Sequence, residues 1–451
     1  MDKSSNRLLT GSIPGTVVRF ALPFLLASFL QSVYGAVDLL VVGQYGSAPA
    51  VSAVSVGSQL MVIATAFAMG ISMGGTVRIG RRIGEGSMEG AGTAVGNTGT
   101  LFLLLAVILT PLMLLFGNTL IRFMQTPPEA VEDCRAYVRI CSLGLPFIIG
   151  YNAVSAIYRG VGDSRTPLLF ISIACVVNIV LDFTLVGHFG MGASGAAIAT
   201  VAAQAVSLVF GLWHLMHRGV GFPVRRDMFR PRAEEMRHIL KVGLPLSFQD
   251  VLVHISFMAI TAMINTLGVT ASAAVGVAEK LMSFAFLIPG AFSSAVAIMV
   301  AQNLGAGQHK RAVQATGWGI GYSLVCGSVV ALLCWVVPES LVSVFSRDHD
   351  VVAACAGYIG TYSLDCILTA FVFNINAYLN GRGESMVCFF HSMVATFLVR
   401  IPLTYFMLSL SSNSLAPMGI AAPAASMASI LICAVYLRMK GRKDSKQGKA
   451  A

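Results

Sequence analysis

The amino-acid sequence predicts an all-α polytopic membrane protein, with twelve transmembrane helices in two parallel six-helix lobes around a central cleft. Composition, the continuity of the apolar runs and an internal repeat predict it. Of 451 residues, 56% are hydrophobic and 11% charged, at a mean hydropathy of +0.78. A soluble domain carries about 25% charged residues, so soluble, disordered and fibrous classes are excluded. Apolar stretches such as Leu101 to Pro111 are continuous and lack the alternation of barrel strands. At roughly 20 residues per crossing, the chain holds material for about a dozen helices. The runs predict spans at 15–43, 54–76, 91–116, 136–158, 167–186, 193–214, 239–267, 272–300, 313–337, 351–379, 385–408 and 418–437.

The net charge of +10 does not mark a nucleic-acid-binding face, because the basic residues sit in connections and at the C-terminus. With the N-terminus placed in the cytoplasm, 24 of the 30 Lys and Arg residues fall on that side. Among them are Lys3, Arg7, Arg78, Arg81, Arg82, Arg382 and the tail from Arg438 to Lys449. The opposite connections hold Arg122, Arg135, Arg139 and Arg347. Both termini are therefore expected in the cytoplasm. Met1 to Thr10 is polar, and no cleavable leader is expected. The nine cysteines form no CxxC and read as small core residues.

The chain repeats itself. Arg19-Phe-Ala-Leu-Pro23 matches Lys241-Val-Gly-Leu-Pro245 at an offset of 222. Ser52 to Met61 matches Ala273 to Met282 at 221, as do Gly84-Glu-Gly86 with Gly305-Ala-Gly307 and Gly160 to Ser164 with Gly381 to Ser385. Six helices per half is an even number, so the halves enter from the same side and are parallel repeats. This divides the chain into a cytoplasmic N-terminus (1–14), an N-lobe (15–217), a linker (218–236), a C-lobe (237–437) and a basic cytoplasmic tail (438–451). The linker holds five arginines; its primary reading is a topology determinant and its secondary one a lipid-headgroup contact. Two six-helix lobes with short loops are a transporter architecture and leave little room for an extramembrane catalytic site. The absence of GxxxxGK[ST], HExxH, GxSxG and metal-spaced Cys/His sets agrees with a non-enzyme.

Ionisable groups at bilayer depth are expensive, so each is a candidate site. At about 1.5 Å per residue, Asp38 lies ~27 Å along the first helix, Asn178 and Asp182 ~16 and ~22 Å along the fifth, and Thr200 roughly 10 Å below the outer surface. Asp38, Asp182 and Thr200 thus share one layer, with Asn178 a turn deeper. Asn178 and Asp182 are four apart on one face, and Gln31, Tyr34 and Asp38 step by three and four along another. Two carboxylates with amide and hydroxyl oxygens form a hard site suited to Na⁺ or to protons. At the repeat offset Asp38 becomes Ile260, Asn178 becomes Arg400 and Asp182 becomes Thr404. The acids belong to one half only. Weaker candidates are Asn152 on the fourth helix, Asn374 and Asn376 on the tenth, and Asp365 with Arg400 as a buried pair.

These residues resemble the multidrug and toxic compound extrusion (MATE) family, DinF-like prokaryotic branch. The likeness runs from Gly15 to about Leu437 and is strongest at Gln302-Asn-Leu-Gly-Ala-Gly-Gln-His-Lys-Arg-Ala312, with a weaker copy at Arg81 to Gly86. Pro23, Gln31, Tyr34 and Asp38 resemble the family's first-helix pattern, and Asn178, Asp182 and Thr200 its remaining ion-site positions. The resemblance implies alternating access in a bacterial inner membrane and export of amphipathic, often cationic organic compounds by antiport with H⁺ or Na⁺. It also implies that the first helix reshapes around Pro23. No cofactor beyond the coupling ion is expected, and a monomer is expected. In the family's other bacterial branch acids lie on the seventh and tenth helices; here Asp365 stands about a turn away from that position. A flippase for lipid-linked oligosaccharides and an ion channel are the alternatives. The first lacks its extra helices and basic cleft here, and the second its re-entrant filter segment.

Overall fold

The computed structural model describes residues 8–410 and 414–447, and the described residues contain helices and no strand. Lys3, Arg7 and Lys449 lie outside the described residues. The helices are α1 (Ile13–Tyr45), α2 (Ala48–Gly84), α3 (Met88–Phe123), α4 (Val131–Val161), α5 (Arg165–Asp182), α6 (Gly192–Arg218), α7 (Ala233–Asn265), α8 (Val269–Gly305) and α9 (His309–Val336). They continue as α10 (Pro338–Ser343), α11 (His349–Tyr362), α12 (Leu364–Arg382), α13 (Ser385–Met393), α14 (Ile401–Leu410) and α15 (Ala421–Gln447). Single π-helical segments, Phe183–His188 and Val394–Arg400, extend α5 and join α13 to α14. Among the described residues eleven helical segments are long and apolar enough to cross a membrane, and α11 with α12, bent by 43°, makes a twelfth.

Several helices outrun their apolar stretches. The predicted span 54–76 becomes the 37-residue α2, which carries Arg78, Arg81 and Arg82 inside the helix and not in a connection. Cations suit a helix C-terminus, and acids suit an N-terminus. Glu235, in the first turn of α7, meets both demands. It accepts from Arg78 Nε at 2.6 Å and from Arg82 Nη2 at 2.6 Å, and Arg78 and Glu235 are both buried.

The helices fall into two compact units, divided within α7 and α8. The first comprises Met1–Ser247 and Ala301–His309. Its core is aliphatic, with Val41, Val54, Leu60, Leu145 and Ile149 buried around Tyr137. Here α2 and α4 pack closely because Gly57 has no side chain, and a Cβ there would lie 2.4 Å from the Tyr137 ring. The signature residue Gln302 is fully buried and donates to the Gly160 carbonyl at 3.0 Å, tying the end of α8 to the last turn of α4. The second unit, Phe248–Val300 with Lys310–Ala451, centres on Ile260, Ile264, Met282, Tyr358 and Tyr362.

The repeat is visible in the turns. Gly86 and Gly307, 221 positions apart, have φ of +73° and +72° and end α2 and α8 alike. In each turn the glycine N–H bonds the carbonyl three residues back and the next N–H the one five back: Gly86 to Ile83 and Ser87 to Arg82, then Gly307 to Leu304 and Gln308 to Asn303. A left-handed residue closing a helix in this way favours glycine.

The linker is anchored on the first unit at a few buried residues. Its short turn Arg226–Phe229 lies along α3, where Met228 is buried. Asn97 Nδ2 donates to the Met228 carbonyl at 3.2 Å, Thr100 Oγ1 to the Phe229 carbonyl at 2.7 Å, and Arg232 N to Asn97 Oδ1 at 2.7 Å. Gly96 permits this approach, since a Cβ there would lie 2.2 Å from the Met228 oxygen.

Candidate functional site

Helices α1, α5 and α6 pack on one another in the first unit. Each contributes to one polar cluster in an otherwise apolar bundle. Asp38 of α1, Asn178 of α5 and Asp182 of α5 are all buried. Thr200 Oγ1 of α6 donates to Asp38 Oδ2 at 3.2 Å. Asp182 and Asn178 face the Asp38 carboxyl from the neighbouring helix. They stand close enough to interact but outside hydrogen-bond geometry: both Asp182 oxygens, the Asn178 amide and Asp38 Oδ1 have no hydrogen-bond partner among the described residues. The three residues predicted as one layer, and Asn178 predicted a turn deeper, are thus brought together from positions up to 162 apart in the chain.

Charge balance decides what such a cluster can do. Neither Asp38 nor Asp182 has a basic side chain within 4 Å among the described residues. Two ionised carboxylates without a cation are costly in a low-dielectric interior. A proton or a small hard cation relieves that cost, and the donors present (carboxylate, amide and hydroxyl oxygens) suit either. No group of three His, Cys, Asp or Glu side chains fit for a metal ion occurs among the described residues, which sets the cluster apart from a transition-metal centre.

The predicted supporting residues divide. Tyr34 lies beside Gln31, Gln204, Tyr151 and Asp38, so it extends the cluster down α1. Gln204, one turn from Thr200 on α6 and buried, is part of this extension, and the sequence reading did not select it. The signal was available: Gln204 is four residues after Thr200, on the same face. Asn152 is turned elsewhere, with its Nδ2 on the Ile148 carbonyl of its own helix at 2.9 Å. Pro23 is buried within α1, which runs unbroken from Ile13 to Tyr45, and withdraws one backbone donor from it.

The second unit is built otherwise. Ile260 is core, and Thr404 Oγ1 bonds the Arg400 carbonyl of its own helix at 2.8 Å. The Arg400 guanidinium lies over the Phe257 ring at 4.1 Å, a cation–π contact. Asp365 is buried next to Ser426, and no ion pair within 4 Å joins it to Arg400 among the described residues. Asn374 Nδ2 donates to Ser323 Oγ at 3.1 Å, and Asn376 Oδ1 lies 2.7 Å from His391 Nε2. These polar residues are spread among separate partners and form no carboxylate cluster.

The sequence pattern of the MatE family matches residues 23–184 and again 245–406, each matched segment beginning at a proline of the repeat. The chain belongs to the MatE family. It is a membrane transporter and not an enzyme, and the all-helical fold of its described residues is that of the family. It is 27% identical over 402 residues to the probable multidrug resistance protein YpnP of Bacillus subtilis, covering 87% of this chain and 88% of YpnP. To the probable multidrug resistance protein YoeA of the same organism it is 28% identical over 433 residues, covering 94% and 93%. Its fold superposes with a TM-score of 0.91 on a MOP superfamily transporter from Pyrococcus furiosus, at 23% identity and 98% coverage of both chains. That last likeness concerns fold alone.

Proposed function

We propose that this MatE protein is a secondary active multidrug exporter, in which the first unit couples entry of H⁺ or Na⁺ to extrusion of amphipathic, often cationic organic compounds. The observation that carries the coupling is the pair of buried, uncompensated carboxylates Asp38 and Asp182, present in one repeat and replaced by Ile260 and Thr404 in the other. A gradient-driven transporter needs a group that is stable both with and without its ion, and a carboxylate pair short of one positive charge has that property. Thr200 and Asn178 supply neutral oxygens, so the site holds either a proton shared within the pair or a desolvated Na⁺. Pro23, with a backbone donor missing from α1, gives the helix that carries Asp38 a place to bend when the charge at the site changes. Multidrug export is supported by the names of the two Bacillus relatives, both probable multidrug resistance proteins. The positive-inside pattern supports a cytoplasmic-membrane protein with both termini in the cytoplasm.

The test is transport in proteoliposomes under imposed pH and Na⁺ gradients. Wild type should accumulate substrate against its gradient. Asp38→Asn and Asp182→Asn should retain substrate binding and downhill exchange while losing uphill accumulation. If both variants pump uphill at normal rates, the coupling assignment is wrong.

A further inference from the structure

A cavity away from the acid cluster shares no residue with it. It lies in the first unit among α3, α4, α6 and the linker, with a volume of about 670 Å³. Its lining side chains are all apolar, among them Phe102, Ala106, Leu208, Leu212, Met216 and Phe229. The rim faces outward, since Leu103 and Met216 are 66% and 75% exposed. These residues belong to transmembrane spans, so the groove opens on the side where lipid tails lie.

The roof is the linker, held on α3 by Asn97 and Thr100 as described above, and it is basic. Arg226 stands two positions from the lining residue Val224, and Arg230 adjoins the lining residue Phe229. Both arginines are exposed. Arg225 alone among the linker's basic residues is occupied locally, by Glu89 at 3.2 Å and Asp227 at 3.5 Å. Arg226 and Arg230 have no acidic partner within 4 Å among the described residues.

The repeat sharpens the reading. A smaller groove of about 410 Å³ lies in the second unit between α9, α12 and α15. Its Thr316, Ile375, Tyr378 and Leu437 stand 221 positions after Val95, Val154, Ile157 and Met216 of the first groove. The helix packing of the repeat itself therefore makes the groove. In the second copy the cations Arg382 and Lys440 are both engaged by Glu384. Cations line the second groove and are neutralised there, whereas the first groove is lined by apolar residues alone and bordered by the linker.

We propose that the α3–α4–α6 groove binds a phospholipid with an anionic headgroup, one acyl chain filling the trough and the phosphate lying beside the linker at Arg226 and Arg230. Apolar burial supplies affinity for any lipid, and the arginines supply preference for negative charge. Headgroup recognition thereby becomes a function of the linker beyond setting topology.

Trp213 on α6 follows the lining residue Leu212 and is exposed, which makes it a local reporter. In a Trp318→Phe, Trp335→Phe background it is the sole tryptophan. The full-length protein is reconstituted in phosphatidylcholine vesicles doped with brominated phosphatidylglycerol or, at the same fraction, brominated phosphatidylcholine. Phosphatidylglycerol should quench Trp213 about threefold more strongly. Arg226→Gln with Arg230→Gln, on the exposed linker surface, should bring the two lipids level without changing thermal unfolding. Gly99→Leu, which projects into the trough where the movable Phe229 ring is the nearest neighbour at 3.3 Å, should also abolish the excess. Equal quenching by the two lipids in the parent, or an excess that survives the arginine or the glycine variant, would overturn the proposal. Saturable quenching by ethidium, unaffected by the arginine changes and with no lipid preference, would assign the trough to substrate and overturn it as well.

Discussion

The two units share helices and turns but not polar interiors. Gly86 and Gly307 close equivalent helices with the same left-handed geometry, yet the layer holding Asp38 and Asp182 in one unit holds Ile260 and Thr404 in the other. A duplication preserves what backbone geometry demands, because a turn that favours glycine penalises replacements at either copy. Side chains within the bundle carry no such constraint and have diverged. Asymmetry between the copies is therefore a sharper pointer to chemistry than polarity alone.

The largest effect should come from breaking that asymmetry. Asp182→Asn is expected to reduce gradient-driven accumulation by at least about tenfold, since it removes one of the two groups that can exchange charge. Asp365→Asn in the second unit should leave accumulation within about twofold of wild type, a contrast read in the same proteoliposomes. Next in size is Glu235→Gln. It leaves buried Arg78 without its carboxylate, and loss of one partner of a buried pair costs about 3–5 kcal/mol. A clear fall in thermal unfolding temperature checks it. The smallest effect tests what the copies share. Gly86→Ala and Gly307→Ala meet no neighbour within 4 Å, so each should cost only the backbone penalty of about 1–2 kcal/mol. Equal destabilisation by the two, measured by chemical unfolding in detergent, supports equivalent turns; a severalfold difference breaks the equivalence.

Much of this was legible in the sequence, for physical reasons. Continuous apolar runs gave all twelve spans, because a chain crossing lipid must satisfy its backbone within each helix. Helix ends were misjudged where charge was taken for a connection. Arg78 and Arg82 lie inside α2 because Glu235, more than 150 positions away, receives them. The span read as 351–379 is two helices bent at Ser363, and the short α10 and both π-helical segments carried no periodic signature. Within the candidate site, helical spacing and depth arithmetic brought Asp38, Asn178, Asp182 and Thr200 together. Gln204 escaped because an amide near an acid cluster looks like any amide on a helix. The linker's composition marked it as a connection, but its seating on α3 depends on Asn97 and Thr100, far away in the chain.

The most direct measurement is the transient current on a solid-supported membrane after a pH or Na⁺ jump, without substrate. Charge entering the first unit should give a current in wild type and in Asp365→Asn, and none in Asp38→Asn or Asp182→Asn. A wild-type current persisting in both of those variants would contradict the assignment of coupling to the first-unit acids.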